Sequence, residues 1–192
     1  MVREAEPMSI FERRRRAPMH YKLRAENARF VSYVLSERIS EALISGLAQS
    51  LGYNGSPEIA VGETFRREAA LALELSLKAV IAVRLEQGTA PKGIVRIPLT
   101  HDLPQLWSKA LLPPLPSRYK QVLFVGKTLL EWAGRYGAPS GPKADHKFEI
   151  EHVAKMPQGG TLASVPTLDW DGFDYLYRIA DAEFERLWKE YR

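Results

Sequence analysis

Residues Leu73 to Ala79 read Leu-Glu-Leu-Ser-Leu-Lys-Ala, placing one carboxylate and one ammonium inside a run from Ala69 to Leu85 that is otherwise almost wholly apolar. Charges persist in a core where each has a partner. Glu74 and Lys78 stand at i,i+4 spacing with the acid first, the order that favours pairing on one helix face. Both are expected to be at least partly buried and bonded to each other. Thr100-His101-Asp102-Leu103 follows downstream as a helix start. It is expected to bring His101 near the pair, so that Glu74, Lys78, His101 and Asp102 form a binding or structural polar cluster.

Other residues carry the right chemical types without a compelling pattern. His146 and His152 bracket Glu149 and Glu151. In an extended segment the histidines share one side and the carboxylates point away, because strand side chains alternate. No metal site is therefore expected there. Asp169 and Asp171 beside Trp170 read as turn and cap residues. Tyr136, Tyr175, Tyr177 and the four tryptophans are of the type that stacks on bases; at helical spacing the same residues serve core or dimer packing. Arg13, Arg14, Arg15 and Arg16 are the candidates for phosphate contact, and a solvated basic arm is the simpler account of the same run. The chain contains no phosphate-binding glycine loop, no dinucleotide fingerprint and no serine nucleophile elbow.

The 192 residues contain no cysteine, which excludes disulfides, zinc–thiolate sites, iron–sulfur clusters and thiol catalysis. An apolar content of 45% and a charged content of 26% are those of an ordinary globular chain. The net charge of +4 equals the contribution of the four consecutive arginines, so the remainder is close to neutral. No secretory signal is expected, because the arginines are not followed by an apolar stretch. The run at 69–85 is short for a membrane span and holds Glu74, Lys78 and Arg84, so it reads as a core helix. The expected location is cytoplasmic.

Residues 1–18 are expected to form a flexible basic arm. Residues 19–192 are expected to form a single helical domain with an irregular insertion at about 138–169. Phe30, Val31, Val34, Leu35, Ile39, Ala42, Leu43 and Leu47 recur at three- and four-residue steps, which predicts one helix from about His20 to Leu51. A second, apolar nearly all round, runs from near Thr64 to a stop at Gly88 and should lie centrally. Residues 92–99 read as a connector. Thr100 is the expected cap of a short helix with Asp102 and Pro104 in its first turn, ending before Pro113-Pro114. Ser117 opens a fourth helix with Tyr119, Val122, Leu123, Leu129, Leu130 and Ala133 on its stripe. Gly126 on that stripe would let another backbone come close, and Gly137 and Pro139 terminate the element. A last helix runs from a cap at Asp171 to Tyr191. The fold class is all-α, an up-and-down bundle of four long helices and one short one.

The order of these pieces resembles the HEPN superfamily of small helical domains. Leu73-Glu74-Leu75-Ser76-Leu77-Lys78-Ala79 is like that group's core helix. His101-Asp102-Leu103 with Leu106-Trp107 is like its histidine-aspartate-leucine helix start. Trp132-Ala133-Gly134-Arg135-Tyr136 is similar to its arginine-tyrosine-proline close, although Gly137-Ala138 intervene before Pro139. The resemblance covers roughly residues 25–140. It implies a helical bundle, frequently dimeric, with members ranging from ribonuclease toxins to non-catalytic partners of nucleotidyltransferases and binding modules.

Ribonuclease members of that superfamily carry an arginine, a polar residue and then a histidine at the spacing of Arg96 and His101. Here Ile97 replaces the polar residue and Pro98 stiffens the loop. In the catalytic reading His101 moves a proton from a ribose hydroxyl while Arg96 stabilises phosphate charge. In the other reading His101 bonds Glu74 or a loop carbonyl and Arg96 lies on the surface. The expected function is a non-catalytic module that binds a nucleotide, RNA or a protein partner such as a nucleotidyltransferase, in a toxin–antitoxin or defence setting. The alternative is a metal-independent ribonuclease. No cofactor is expected. A homodimer is expected through the aromatic-rich last helix with Phe173, Tyr177, Phe184 and Trp188. No helix-turn-helix supports a DNA-binding role for the arginine arm.

Overall fold

The computed structural model describes residues 16–37, 40–131 and 168–191, which form six helices and no strand. They are α1 (Pro18–Ser36), α2 (Glu41–Ser50), α3 (Pro57–Glu86), α4 (Leu103–Lys109), α5 (Ser117–Glu131) and α6 (Trp170–Tyr191). The all-α expectation holds for these residues. Among them no helix is long and apolar enough to cross a membrane.

Helix α3, about 45 Å long at 1.5 Å per residue, is the axis of the molecule, and every other helix packs on it. Its side chains from Ala72 to Arg84 are all buried, which is what an all-round apolar helix requires. It begins at Pro57, about two turns before the expected Thr64, because Pro at the first helical position needs no amide partner. Its end is a Schellman motif: Thr89 N–H donates to the Arg84 carbonyl at 2.8 Å and Gly88 N–H to Leu85 at 3.2 Å. Gly88 sits at φ 69°, as its place after the helix demanded.

The predicted helix from 20 to 51 is two helices. Glu37 is extended after α1, and Ser40 recaps the chain by accepting from the Leu43 amide. The apolar stripe that marked the helix does not face the core. Phe30, Val31, Val34, Leu43 and Leu47 are exposed. The buried face of α1 is instead Lys22, Ala25, Ala28 and Ser32. Small side chains let α1 approach α3 closely, and Lys22 fixes its rotation by reaching into an acidic cluster, so apolarity alone gave the wrong phase.

Asp102, not Thr100, caps α4 by accepting from the Gln105 amide at 2.9 Å; Thr100 Oγ1 accepts from the Asp102 amide one step earlier. Asp169, not Asp171, caps α6 by accepting from Gly172 N–H at 2.7 Å. On α5, Val122, Leu123 and Leu130 are buried as expected. A Cβ on Gly126 would lie 2.7 Å from Leu103 Cδ1, so the glycine admits a side chain of α4 rather than a backbone. Phe173, Tyr177, Phe184 and Leu187 of α6 are all buried. The aromatic face on which dimerisation was expected is thus largely spent on the protein's own core. The proposed helix end at Gly137 and Pro139, and the Trp132–Tyr136 segment of the resemblance, lie outside the described residues.

Candidate functional site

The polar cluster predicted around α3 is present, with three of its four members joined. Glu74 uses both carboxylate oxygens: Oε1 accepts from Lys78 Nζ at 2.6 Å, and Oε2 lies 2.8 Å from His101 Nδ1. The Glu74 and Lys78 side chains are 5% and 10% exposed, while His101 is 32% exposed. An ionised carboxylate only accepts, so Nδ1 must carry a proton, and in the neutral ring Nε2 keeps the lone pair. The helix spacing makes the ion pair, and the turn before α4 delivers the imidazole to it. Asp102 stays apart from Glu74. It caps α4 and pairs with Lys127 at 2.7 Å. Burial alone would raise the Asp102 carboxyl, but hydrogen bonds from Lys127 and the Gln105 amide outweigh it and leave the group below the ordinary aspartate range.

An imidazole oriented by a carboxylate can act as a general base. The second half of the ribonuclease pattern is not assembled with it. Arg96 is exposed in the connector before α4, and no hydrogen bond or ion pair joins it to His101 or to any other described residue. Ile97 is buried, as an apolar residue in that loop would be. Of the arginine run only Arg16 is described, and it is exposed. His146, His152, Glu149 and Glu151 lie outside the described residues, and among those described no three metal-ligating side chains converge.

A second polar assembly, between α1 and α6, was not anticipated. Lys22 is buried and hydrogen-bonded to Asp181 and to Glu26. Burial would lower its ammonium pKa, yet the bonds to Asp181 and Glu26 overcome this and raise it. Nearby, Arg29 reaches Asp174 through Nε at 3.0 Å and Nη2 at 2.6 Å, while Arg178 Nε meets the other Asp174 oxygen at 2.6 Å. The Arg29 guanidinium also lies 4.8 Å from the Tyr177 ring. Burial pushes the Tyr177 hydroxyl up to about 12, and that oxygen has no hydrogen-bond partner among the described residues.

On this assembly rests a pocket of about 360 Å³ lined by Glu26, Arg29, Phe30, Tyr33, Trp170 and Arg178. The Tyr33 and Trp170 rings are 5.1 Å apart, and Trp170 leans on Phe173 at 5.4 Å. Phe30 remains 66% exposed. Arg178 is 73% exposed and held only through Nε, so its two terminal nitrogens have no partner among the described residues. The pocket therefore offers flat aromatic surface beside guanidinium donors. The periodic signal included Phe30 but not Tyr33, and nothing local in sequence tied either to Trp170 or Arg178. Comparison of the chain with known protein families, with characterised proteins and with solved structures finds no match.

Proposed function

We propose that this protein is a non-catalytic helical module of HEPN-like type that binds a nucleotide or a base of single-stranded RNA in the pocket between α1 and α6. The observation that carries the reading is the pairing of exposed aromatic rings with guanidinium nitrogens that have no partner among the described residues. A planar base gains from stacking on Phe30, Tyr33 or Trp170. Its phosphate suits the terminal nitrogens of Arg178, which Asp174 anchors through Nε. The volume of about 360 Å³ lies at the small end of ligand pockets, the scale of one nucleotide rather than of a larger cofactor. Glu74, Lys78 and His101 are positioned to hold α4 on α3, in keeping with a structural role.

The test is titration calorimetry of the full chain with AMP, UMP and a short single-stranded RNA, beside Phe30→Ala and Arg178→Ala. Both side chains are largely exposed, so both variants are expected to fold. Removing one stacking ring is expected to weaken binding by about 1–3 kcal/mol. No heat with any nucleotide, or binding that neither variant weakens, would overturn the reading.

One observation favours a second reading. The Glu74–His101 bond at 2.8 Å gives the imidazole the carboxylate partner that a ribonuclease base would use. Metal-free cleavage also needs a cation at the same phosphate, and Arg96 is the sequence's candidate for it. Arg96 is exposed and has no partner among the described residues, which leaves that reading second.

A further inference from the structure

A second aromatic surface lies on the other side of α6 from the pocket. Tyr175 of α6 stacks on Tyr119 of α5, with ring centroids 4.1 Å apart and planes at 18°. Tyr175 is 43% exposed. Arg118, exposed at the start of α5, lies 5.3 Å from the Tyr119 ring. Tyr175 is a ring of the type that stacks on bases, and neither the core nor the pocket uses it.

Contacts already described fix where this surface stands. Tyr33 meets Trp170 and Arg29 meets Asp174, so α1 runs antiparallel to α6. Phe30, next to Arg29, therefore stands at nearly the height of Tyr175 along α6. Around α6, Trp170, Arg178 and Tyr175 leave the helix in that order, about 80° and then about 60° apart. The pocket and the tyrosine stack thus flank Arg178, whose side chain leaves α6 between them. A strand with one base in the pocket and its phosphodiester on Arg178 has the next base within reach of Tyr175.

The two surfaces are about one helix width apart, roughly 10 Å, against about 3.4 Å between stacked neighbours in a strand. The bases must therefore be splayed, the form in which aromatic side chains take up single strands. Charges of both signs border the path: Asp171, Asp174 and Arg178 on α6, Glu26 and Arg29 on α1, Arg118 and Lys120 on α5. Stacking, rather than net charge, is what the second surface adds.

We infer that the Tyr119–Tyr175 pair is a stacking platform for a second base, so that the preferred ligand is single-stranded RNA of at least two nucleotides. The inference rests on the nucleotide reading of the α1–α6 pocket and extends it.

The experiment is titration calorimetry of the full chain with AMP and with the adenosine trinucleotide ApApA. One further stacked base contributes about 5- to 150-fold in affinity, so ApApA is expected to bind at least about tenfold more tightly than AMP. Tyr175→Ala, which alters no charge, is expected to weaken ApApA by about tenfold and to leave AMP unchanged. Tyr175→Phe keeps the ring and should hold ApApA affinity within about twofold. Phe30→Ala should weaken both ligands. Tyr175 is exposed, and circular dichroism checks that each variant folds. Equal affinity for AMP and ApApA would overturn the second platform. So would ApApA binding indifferent to Tyr175→Ala, an equal loss of AMP in that variant, or a loss in Tyr175→Phe as large as in Tyr175→Ala. In each of these cases AMP binding that Phe30→Ala weakens would keep the pocket reading in place. No binding of either ligand would overturn both.

Discussion

Glu74→Ala should be among the most damaging single substitutions in this chain. The carboxylate satisfies two groups at once, Lys78 Nζ at 2.6 Å and His101 Nδ1 at 2.8 Å. Glu74 is the only ion-pair partner of Lys78 among the described residues, and the lysine side chain is 10% exposed. Removing the acid leaves an ammonium with little access to water, and breaking a buried pair in this way costs about 3–5 kcal/mol. Loss of the His101 bond, on a half-exposed ring, adds at most about 1 kcal/mol. For a chain of this size about 4 kcal/mol corresponds to a fall in melting temperature of roughly 10 °C. The double substitution Glu74→Leu with Lys78→Met removes both charges and keeps the volume, and is expected to cost well under half as much. Urea denaturation followed by helical circular dichroism gives both numbers. A loss below about 1 kcal/mol for Glu74→Ala, or a double variant as damaged as the single one, would refute the claim that a desolvated charge is what the acid stabilises.

Three further outcomes are expected. Gly126→Ala should destabilise by about 1 kcal/mol in the same denaturation assay, because its Cβ meets the fully buried Leu103 Cδ1 at 2.7 Å and the overpacking outweighs the helix propensity gained. Asp102→Asn should keep the α4 cap but lose the charge of the Lys127 pair. Because the folded-state pKa of Asp102 is depressed, its contribution is complete above the ordinary value of 3.8 and lost as pH falls through the lower folded value. The stability gap between wild type and Asp102→Asn, under about 1 kcal/mol for so exposed a pair, should therefore be present at about pH 6 and close at about pH 2. Finally, purified protein incubated with mixed RNA and chelator should not cleave it. Cleavage abolished by both Arg96→Ala and His101→Ala, with folding intact, would promote the ribonuclease reading.

The parts of the fold that sequence made legible are those governed by burial on every side. Helix α3 could be read as central because nearly all its circumference is apolar, and the i,i+4 pair within it named its own partner. Gly88 and Gly126 were legible for the same local reason, one needing φ above zero and the other lacking a Cβ. Helix α1 misled because its core face is Lys22, Ala25, Ala28 and Ser32 while its larger apolar residues look outward. Its rotation depends on Asp181 and Asp174, which are remote in sequence and announce no pairing. The aromatic pocket was hidden for the same reason: Phe30 and Tyr33 meet Trp170 and Arg178 only once α1 and α6 lie together on α3. Cap positions slipped where Thr100 and Asp102, or Asp169 and Asp171, offered two competent acceptors within a turn.

Amide and indole nitrogen–proton correlation spectra of the full chain titrated with AMP test most directly whether the α1–α6 pocket holds a nucleotide. The expected result is saturable shifts confined to the Trp170 indole, the Arg178 guanidinium Nε–H and the amides around Phe30 and Tyr33, with the His101 and Leu47 amides unmoved. Shifts that centre on His101 and Arg96, or none at saturating nucleotide, would contradict it.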